Sequence, residues 1–478
     1  MTAADNIFAV IRRETAPIPG QTAVVEDGAR ISYGELLAAA EAVAAELRRQ
    51  GSGSLCRIGL LADDSIDYLV VSLAILSLDA VVVPVSPEQS PAERTAIITT
   101  IGLDLLLAET RLLDGETAGE EFAANLLRRP FRRISPGAST PPPAEFAALH
   151  PAFIRFSSGT TGTSKGVVLS HRAILERTAT ADQGLRITRR DTVLWVLSMS
   201  YHFVVTILLF LRRGATIVLC GQRFPEALIE GITVHHGTFI YASPFHYALL
   251  AGSDAVAATA LGGIRMAVST AMKLPPDTAA AFHERFGFAL TEAYGIIEVG
   301  LPFLQLAGSD TYGSVGRPLP GVEVRIDAPD TDGIGAIRLR GPGLFDAYYA
   351  PWRRRAAVCP DGWFATGDLG RLDADGVLTI VGREKSVINF VGMKIFPQEV
   401  EAVLDSHPAV LESQVYGVPH PRYGELPAAR LVPRDPAEPP APAELRRYCY
   451  QHLARFKVPK EFIVVARLEK TASGKLKR

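Results

Sequence analysis

Short β-branched runs without polar alternation, such as Ala80-Val81-Val82-Val83-Pro84-Val85, recur between helix-period segments such as residues 33–50. A strand that is apolar on both faces has to be covered on both faces, so this alternation predicts an α/β protein with buried, largely parallel sheets over the first two-thirds of the chain. With 478 residues, 48% of them hydrophobic, the chain can bury a large core and should form two or more domains. Beyond Gly313 the texture changes to short strands with tight turns, as in 322–326 and Asp373-Ala374-Asp375-Gly376, which predicts a small β-rich subdomain. After Gly382-Arg383-Glu384-Lys385 follows a compact α+β segment with a helical pattern over 397–406. The proline- and arginine-rich segment 130–143 reads as a surface connection or a long loop.

Charge and cysteine usage exclude several classes. Lysine plus arginine nearly balance aspartate plus glutamate, leaving a net charge of −2, so composition gives no basic surface for nucleic acid, and a small-molecule partner is expected. Cys56, Cys220, Cys359 and Cys449 are far apart and form no C-x-x-C pair, which suggests neither a zinc site nor a disulfide framework and favours a reduced, cytoplasmic compartment. The first fifteen residues lack the apolar run of a secretory signal. Residues 192–211 approach the length of a membrane span, but Ser198, Ser200, His202 and Thr206 fall in the middle, so a buried strand and helix are expected rather than stable membrane insertion.

Chemistry concentrates first in Phe156-Ser157-Ser158-Gly159-Thr160-Thr161-Gly162-Thr163-Ser164-Lys165-Gly166. A loop with many backbone N–H groups, several hydroxyls and one ammonium suits a polyphosphate. A flexible linker is the alternative; the strand-like residues 153–156 before it and the lysine before a second strand-like run favour the cradle. The spacing is not that of a Walker P-loop. Downstream, Tyr294-Gly295-Ile296-Ile297-Glu298 offers an aromatic face for a base and a carboxylate for Mg²⁺, although such a turn can be purely structural. In Gly362-Trp363-Phe364-Ala365-Thr366-Gly367-Asp368, the carboxylate can accept both hydroxyl protons of a ribose or merely cap a turn. Gly392, in Val391-Gly392-Met393-Lys394, allows close backbone approach to a ligand, and Lys475, in Thr471-Ala472-Ser473-Gly474-Lys475, is either a swinging point charge or part of a solvated basic tail.

Taken in order, these five motifs resemble those of the acyl-adenylating superfamily, which contains acyl-CoA synthetases, adenylation domains of peptide synthetases and luciferases, and the likeness runs over nearly the whole chain. The resemblance implies a large N-terminal domain of stacked αβ subdomains with a small β-rich subdomain, residues 1–384, and a small mobile α+β C-terminal domain, 385–478, turning about Lys385. It implies ATP phosphates on Ser157, Ser158, Gly159, Thr160, Thr161 and Gly162; catalytic roles for Lys165, Glu298 and Lys475; Mg²⁺ on Glu298; and adenosine contacts from Tyr294, Asp368 and Arg383. The acid pocket would include His202, Ala271 and Gly295, and the thiol would reach the site past Gly392.

The chain departs from the family pattern at Ile297, where a hydroxyl residue usually meets the α-phosphate, at Ser164, where proline is common, and at Ser269-Thr270-Ala271, where Gly-Gly-Ala is usual. Adenylation domains for α-amino acids place an aspartate near the position of His202; here Ser200-Tyr201-His202-Phe203 supplies none, so an aryl or aliphatic acid is expected, with a core histidine as the structural alternative. The implied reaction joins a small carboxylic acid to coenzyme A through an acyl-adenylate. Loading of a carrier-protein phosphopantetheine and a non-catalytic nucleotide-binding homologue are the alternatives.

Overall fold

The computed structural model describes residues 6–113, 119–123, 125–137, 140–157, 165–221, 223–306, 312–391, 393–470 and 476. By packing the chain divides into two compact units, Met1–Glu323 with Arg340–Gly362, and Val324–Leu339 with Trp363–Arg478.

Two large sheets build the first unit, each with nine strands among the described residues. One has a parallel centre of Thr291–Ile296, Met266–Ser269, Phe239–Ala242, Thr192–Trp195, Thr216–Leu219 and Thr22–Glu26. The other is centred on parallel Pro151–Ser157, Val81–Val85, Arg57–Leu61 and Leu105–Glu109, with Lys165–Ser170 and then Ala347–Tyr348 added antiparallel. All five residues of Val81–Val85 are buried, as a strand without polar alternation requires. Helix Ile66–Ser77 is buried from Ile66 to Leu76 and touches strands of both sheets, which is why it is apolar all round.

Its one acidic residue in the first turn, Asp67, accepts the backbone N–H groups of Arg128 and Arg129 at 3.1 and 2.8 Å. Arg129 in turn pairs with Glu26 on one sheet and Glu109 on the other. Buried charge is thus paired across the two layers rather than left alone.

Residues 33–50 form helix Tyr33–Arg49, started by a reciprocal Ser32–Glu35 capping box. Residues 192–211 resolve into strand Thr192–Trp195, helix Met199–His202, the π-helical turn Phe203–Ile207 and helix Leu208–Arg212. Among the described residues no helix is long and apolar enough to cross a membrane. The 130–143 segment is more than a connection: Phe131–Ile134 is a strand paired antiparallel with Leu105–Glu109 and Glu120–Phe122. Its Phe131 is buried, a signal masked in the sequence by the flanking proline and arginines.

In the second unit, Glu323–Asp327, Gly335–Arg340, Phe364–Leu372 and Leu378–Arg383 make one sheet. Met393–Ile395, Ile388–Phe390, Gly424–Pro433 and Val410–His420 make another, with Glu461–Val464 beside Gly424–Pro433. Helices Pro397–Asp405 and Pro442–His452 close a core that includes Val400, Leu404, Val415, Leu431 and Leu445. The Asp-Gly turn read from the sequence is present: Asp373 Oδ1 accepts the N–H groups of Asp375 and Val377, and Gly376 has φ +75°.

Gly343 shows how tightly the first unit is joined around helix His171–Leu185. Its φ is +74°, and a Cβ there would lie 2.6 Å from the backbone N of Arg177 and 2.8 Å from its Cα. Gly343→Ala therefore combines left-handed strain of about 2 kcal/mol with overlap against backbone that cannot rotate away. The substitution should lower the melting temperature measured by calorimetry, whereas Gly28→Ala, at φ +79° with open space around it, should cost the strain alone.

Candidate active site

Strand Thr291–Ile296 carries Tyr294 and Gly295 to a turn over 297–299, and the chain returns antiparallel as Gly300–Leu304. A Cβ on Gly295 would sit 2.9 Å from the carbonyl oxygen of Gly300, so glycine is what lets the two strands close so near the turn. At the turn, Glu298 is half-buried, and its backbone carbonyl accepts the N–H of Phe345 at 2.7 Å. Its carboxylate Oε1 accepts the hydroxyl of Tyr348 at 3.1 Å. Burial and the neighbouring Glu298 charge both push the Tyr348 phenol well above its usual range, so it stays a protonated donor.

Beneath this turn lies Arg177, 1% exposed, on helix His171–Leu185. It donates to the carbonyl of Ile297 at 3.0 Å and, through Nε at 3.1 Å and Nη2 at 2.5 Å, to the carbonyl of Gly343. Burial lowers its pKa to about 10, against the charges of Asp346 and Glu298. The guanidinium remains charged at neutral pH.

Two further cations belong to the site. Lys165, first residue of strand Lys165–Ser170, places Nζ 4.8 Å from the ring centroid of Tyr348. Arg155, on the neighbouring strand, donates to the carbonyl of Tyr201 and lies 5.8 Å from the Tyr201 ring centroid. Its pKa is lowered by burial and supported by the negative charge of Glu298. Tyr201 and His202 end the short helix Met199–His202, and the His202 ring meets Trp195 edge-on at 6.2 Å. Ala271 follows strand Met266–Ser269 in a left-handed conformation, φ +71°, while Ser269 and Thr270 are buried.

Asp368 and Arg383, expected from the sequence at the ribose, pair with each other within the second unit. Asp368 and Arg383 stand directly opposite in the antiparallel pair Phe364–Leu372 and Leu378–Arg383, and Nε of Arg383 is 2.9 Å from Oδ1 of Asp368. The Asp368 N–H donates to Thr366 Oγ1 at 3.0 Å, in the middle of the strand that presents the carboxylate. Lys385 sits in the single turn Glu384–Ser386 that follows. Ser158, Gly159, Thr160, Thr161, Gly162, Gly392 and Lys475 lie outside the described residues, as does the side chain of Ser157.

Sequence reasoning missed Arg155, Arg177 and Tyr348. Arg155 had a usable signal, a cation inside the apolar strand sequence Phe153-Ile154-Arg155-Phe156. Tyr348 and Arg177 had none, because their partners are 50 and 166 residues away. For Mg²⁺, the donor chemistry fits: Glu298 is a hard oxygen donor with one oxygen already oriented by Tyr348, suited to a cation held mostly by phosphates and water.

The chain has counterparts among known proteins. The AMP-binding enzyme family matches residues 11–349, and the AMP-binding enzyme C-terminal domain matches 399–475. A sulfoacetate–CoA ligase of Cupriavidus necator is 32% identical, covering 99% of this chain and 97% of that protein. A feruloyl-CoA synthase of an Amycolatopsis species is 28% identical over 96% of this chain and 94% of its own. The ATP-bound crystal structure of MatB from Rhodopseudomonas palustris superimposes with a TM-score of 0.87 at 27% identity, covering 99% of this chain and 97% of that one. The o-succinylbenzoate CoA synthetase MenE of Bacillus subtilis, in complex with its acyl-adenylate intermediate, gives 0.84 at 25% identity, covering 98% of this chain and 96% of that one. With a family match spanning residues 11–349 and a relative of 32% identity along nearly its full length, the chain belongs to the AMP-binding enzyme family.

Proposed function

We propose that this enzyme activates an aryl or aliphatic carboxylic acid lacking an α-amino group and transfers it to free coenzyme A. At the coarser level it is an AMP-forming acid–thiol ligase, using ATP and CoA. In that reaction the carboxylate attacks the α-phosphorus of ATP and pyrophosphate leaves; the thiol then attacks the acyl carbon of the adenylate and AMP leaves. The observation that carries the reading is the Glu298 turn, held by Arg177 and Tyr348 beside the cations Lys165 and Arg155. Positioning and charge neutralisation suffice for such a step, because the carboxylate is already a competent nucleophile.

Within that reaction the roles follow from chemistry. Lys165, Arg155 and the 157–162 loop would face the phosphates, and Tyr348 would orient the Glu298 carboxylate. Mg²⁺ on Glu298 would neutralise part of the phosphate charge. Tyr294 would stack on adenine, while Asp368 and Arg383 take the ribose hydroxyls. Lys475 would stabilise charge at the α-phosphate during adenylation, the Gly392 loop would guide the thiol, and Lys385 is the proposed hinge between the two half-reactions. For the acid, the Trp195–His202 contact and the aromatic sequence neighbours Tyr201 and Phe203 support a pocket without a carboxylate for an ammonium. Relatives named for sulfoacetate, feruloyl and o-succinylbenzoate chemistry agree in lacking an α-amino group. Cytoplasmic residence is proposed with the supply of ATP and CoA.

Three measurements test this. ATP–pyrophosphate exchange should depend on a non-amino carboxylate, and adding CoA should yield AMP and the acyl-CoA in equal amounts by mass spectrometry. Exchange without acyl-CoA would shift the acceptor to a carrier protein, and no exchange with any acid would favour a nucleotide-binding homologue without activity. Asp368→Ala should raise KM for ATP while erasing its preference over 2′,3′-dideoxy-ATP, since the deleted carboxylate is what reads the hydroxyls. Tyr348→Phe, which removes a hydrogen bond to a carboxylate, should lower the adenylation rate about tenfold, equivalent to about 1.4 kcal/mol, with little change in the melting temperature.

A further inference from the structure

Between strand Arg57–Leu61 and helix Ile66–Ser77 the chain carries Asp64, a residue that none of the motifs above includes. Both of its carboxylate oxygens accept the backbone N–H of Met199, at 2.9 Å for Oδ1 and 3.1 Å for Oδ2, across 135 residues of sequence. Met199 opens the helix that bears Tyr201 and His202, and this helix continues through the π-helical turn Phe203–Ile207 into Leu208–Arg212. The N-cap residue Ser198 makes no side-chain cap among the described residues. A helix start needs an acceptor for its first N–H groups and favours negative charge there. Here a distant carboxyl group supplies the acceptor.

Arg155 holds the same segment from the other side, donating to the carbonyl of Tyr201. The residues 199–202 are therefore bracketed by a carboxyl group on the Met199 amide and a guanidinium on the Tyr201 carbonyl. Rotation of this single turn would move Tyr201 and His202 together. A π-helical turn directly after His202 makes the segment a departure from regular helix, where local propensity does little to fix its course and outside tethers do more. Enclosure pushes the Asp64 carboxyl up to about 7, against the Met199 N–H that favours the anion.

We propose that Asp64 is a positioning residue for acid recognition: by capping the Met199 amide it fixes the Tyr201–His202 wall against which the carboxylic acid is selected. The proposal rests on the reading that residues 200–203 face the acid. Asp64 bonds Met199, and the phosphate-facing Arg155 meets this turn only at the Tyr201 carbonyl, so loss of Asp64 should weigh far more on the acid than on ATP.

Steady-state kinetics of the full-length enzyme test it with Asp64→Ala, Asp64→Asn and His202→Ala. Asp64→Ala should raise KM for the acid about tenfold and blur discrimination across an acid panel, leaving KM for ATP within about twofold. Asp64→Asn keeps one oxygen able to accept the Met199 N–H and should restore the acid KM to within about threefold of the parent. An unchanged acid KM in Asp64→Ala, a parallel rise in both KM values, or an Asn variant no better than Ala would overturn the positioning role. His202→Ala separates the two readings. Altered acid discrimination there with a silent Asp64→Ala removes only the positioning role, while silence in both variants removes the pocket assignment as well.

Discussion

One buried cation organises the first unit's chemistry. Arg177 places a fully desolvated guanidinium under the Glu298 turn, where it is tolerable only because its donors are taken by carbonyl oxygens and its charge is answered by Asp346 and Glu298. The same helix satisfies both polar groups of one peptide position: Glu176 accepts the N–H of Gly343 at 2.9 Å, and Arg177 donates to its carbonyl. Consecutive residues of one helix thus clamp Gly343 while reaching across to Ile297. Because the chain runs from Gly343 directly to Phe345, which donates to the Glu298 carbonyl, and on to Tyr348, the clamp fixes both halves of the Tyr348–Glu298 hydrogen bond. The Glu298 carboxylate is thus placed through two side chains of one helix that grip backbone groups of both segments, and its final orientation comes from the Tyr348 hydroxyl.

The cationic side of the site follows from the sheet that carries it. Arg155 and Lys165 lie on adjacent antiparallel strands, Pro151–Ser157 and Lys165–Ser170, at the end where the glycine- and hydroxyl-rich loop joins them. The pairing of Ser157 with Lys165 brings the two ends of that loop together. A strand pair that closes a loop of this composition concentrates N–H donors and positive charge at one edge, which is the physical requirement for holding a polyphosphate.

How much of this was legible depended on how far each signal travels. The unbroken valines of 81–85 and the Ser32-x-x-Glu35 capping box are local, and each produced the element expected of it. Asp368 and Arg383 were legible because each belongs to a recognisable motif, and their cross-strand pairing spans only a short antiparallel hairpin. Tyr348, Arg177 and Asp64 were not: each acts on a backbone or carboxylate group brought near by the tertiary fold, and nothing in the surrounding residues marks them. Strand Phe131–Ile134 was missed for the opposite reason, since its arginines and the flanking Pro130 and Pro136 gave a local signal for surface loop that pairing with Leu105–Glu109 overrode.

The departure that stands out in the sequence, Ile297 where the resembled family pattern expects a hydroxyl, has a clear structural meaning. What the turn draws from position 297 is the backbone carbonyl that receives Arg177, and any residue supplies a carbonyl. The isoleucine side chain is itself nearly buried, 9% exposed, so it adds apolar packing to the turn that presents Glu298. The change therefore leaves the scaffold of the Glu298 turn intact and falls on ligand contact alone. A hydroxyl donor to a charged phosphate contributes on the order of 1.5–3 kcal/mol, a modest part of what several cations at one site can supply. Holding Arg155 in place by the Tyr201 carbonyl, and Lys165 over Tyr348, gives the site charge that does not depend on that hydroxyl. On the proposed reading, the loss at Ile297 would tune the grip on the α-phosphate, while Glu298 and its neighbouring cations keep their positions.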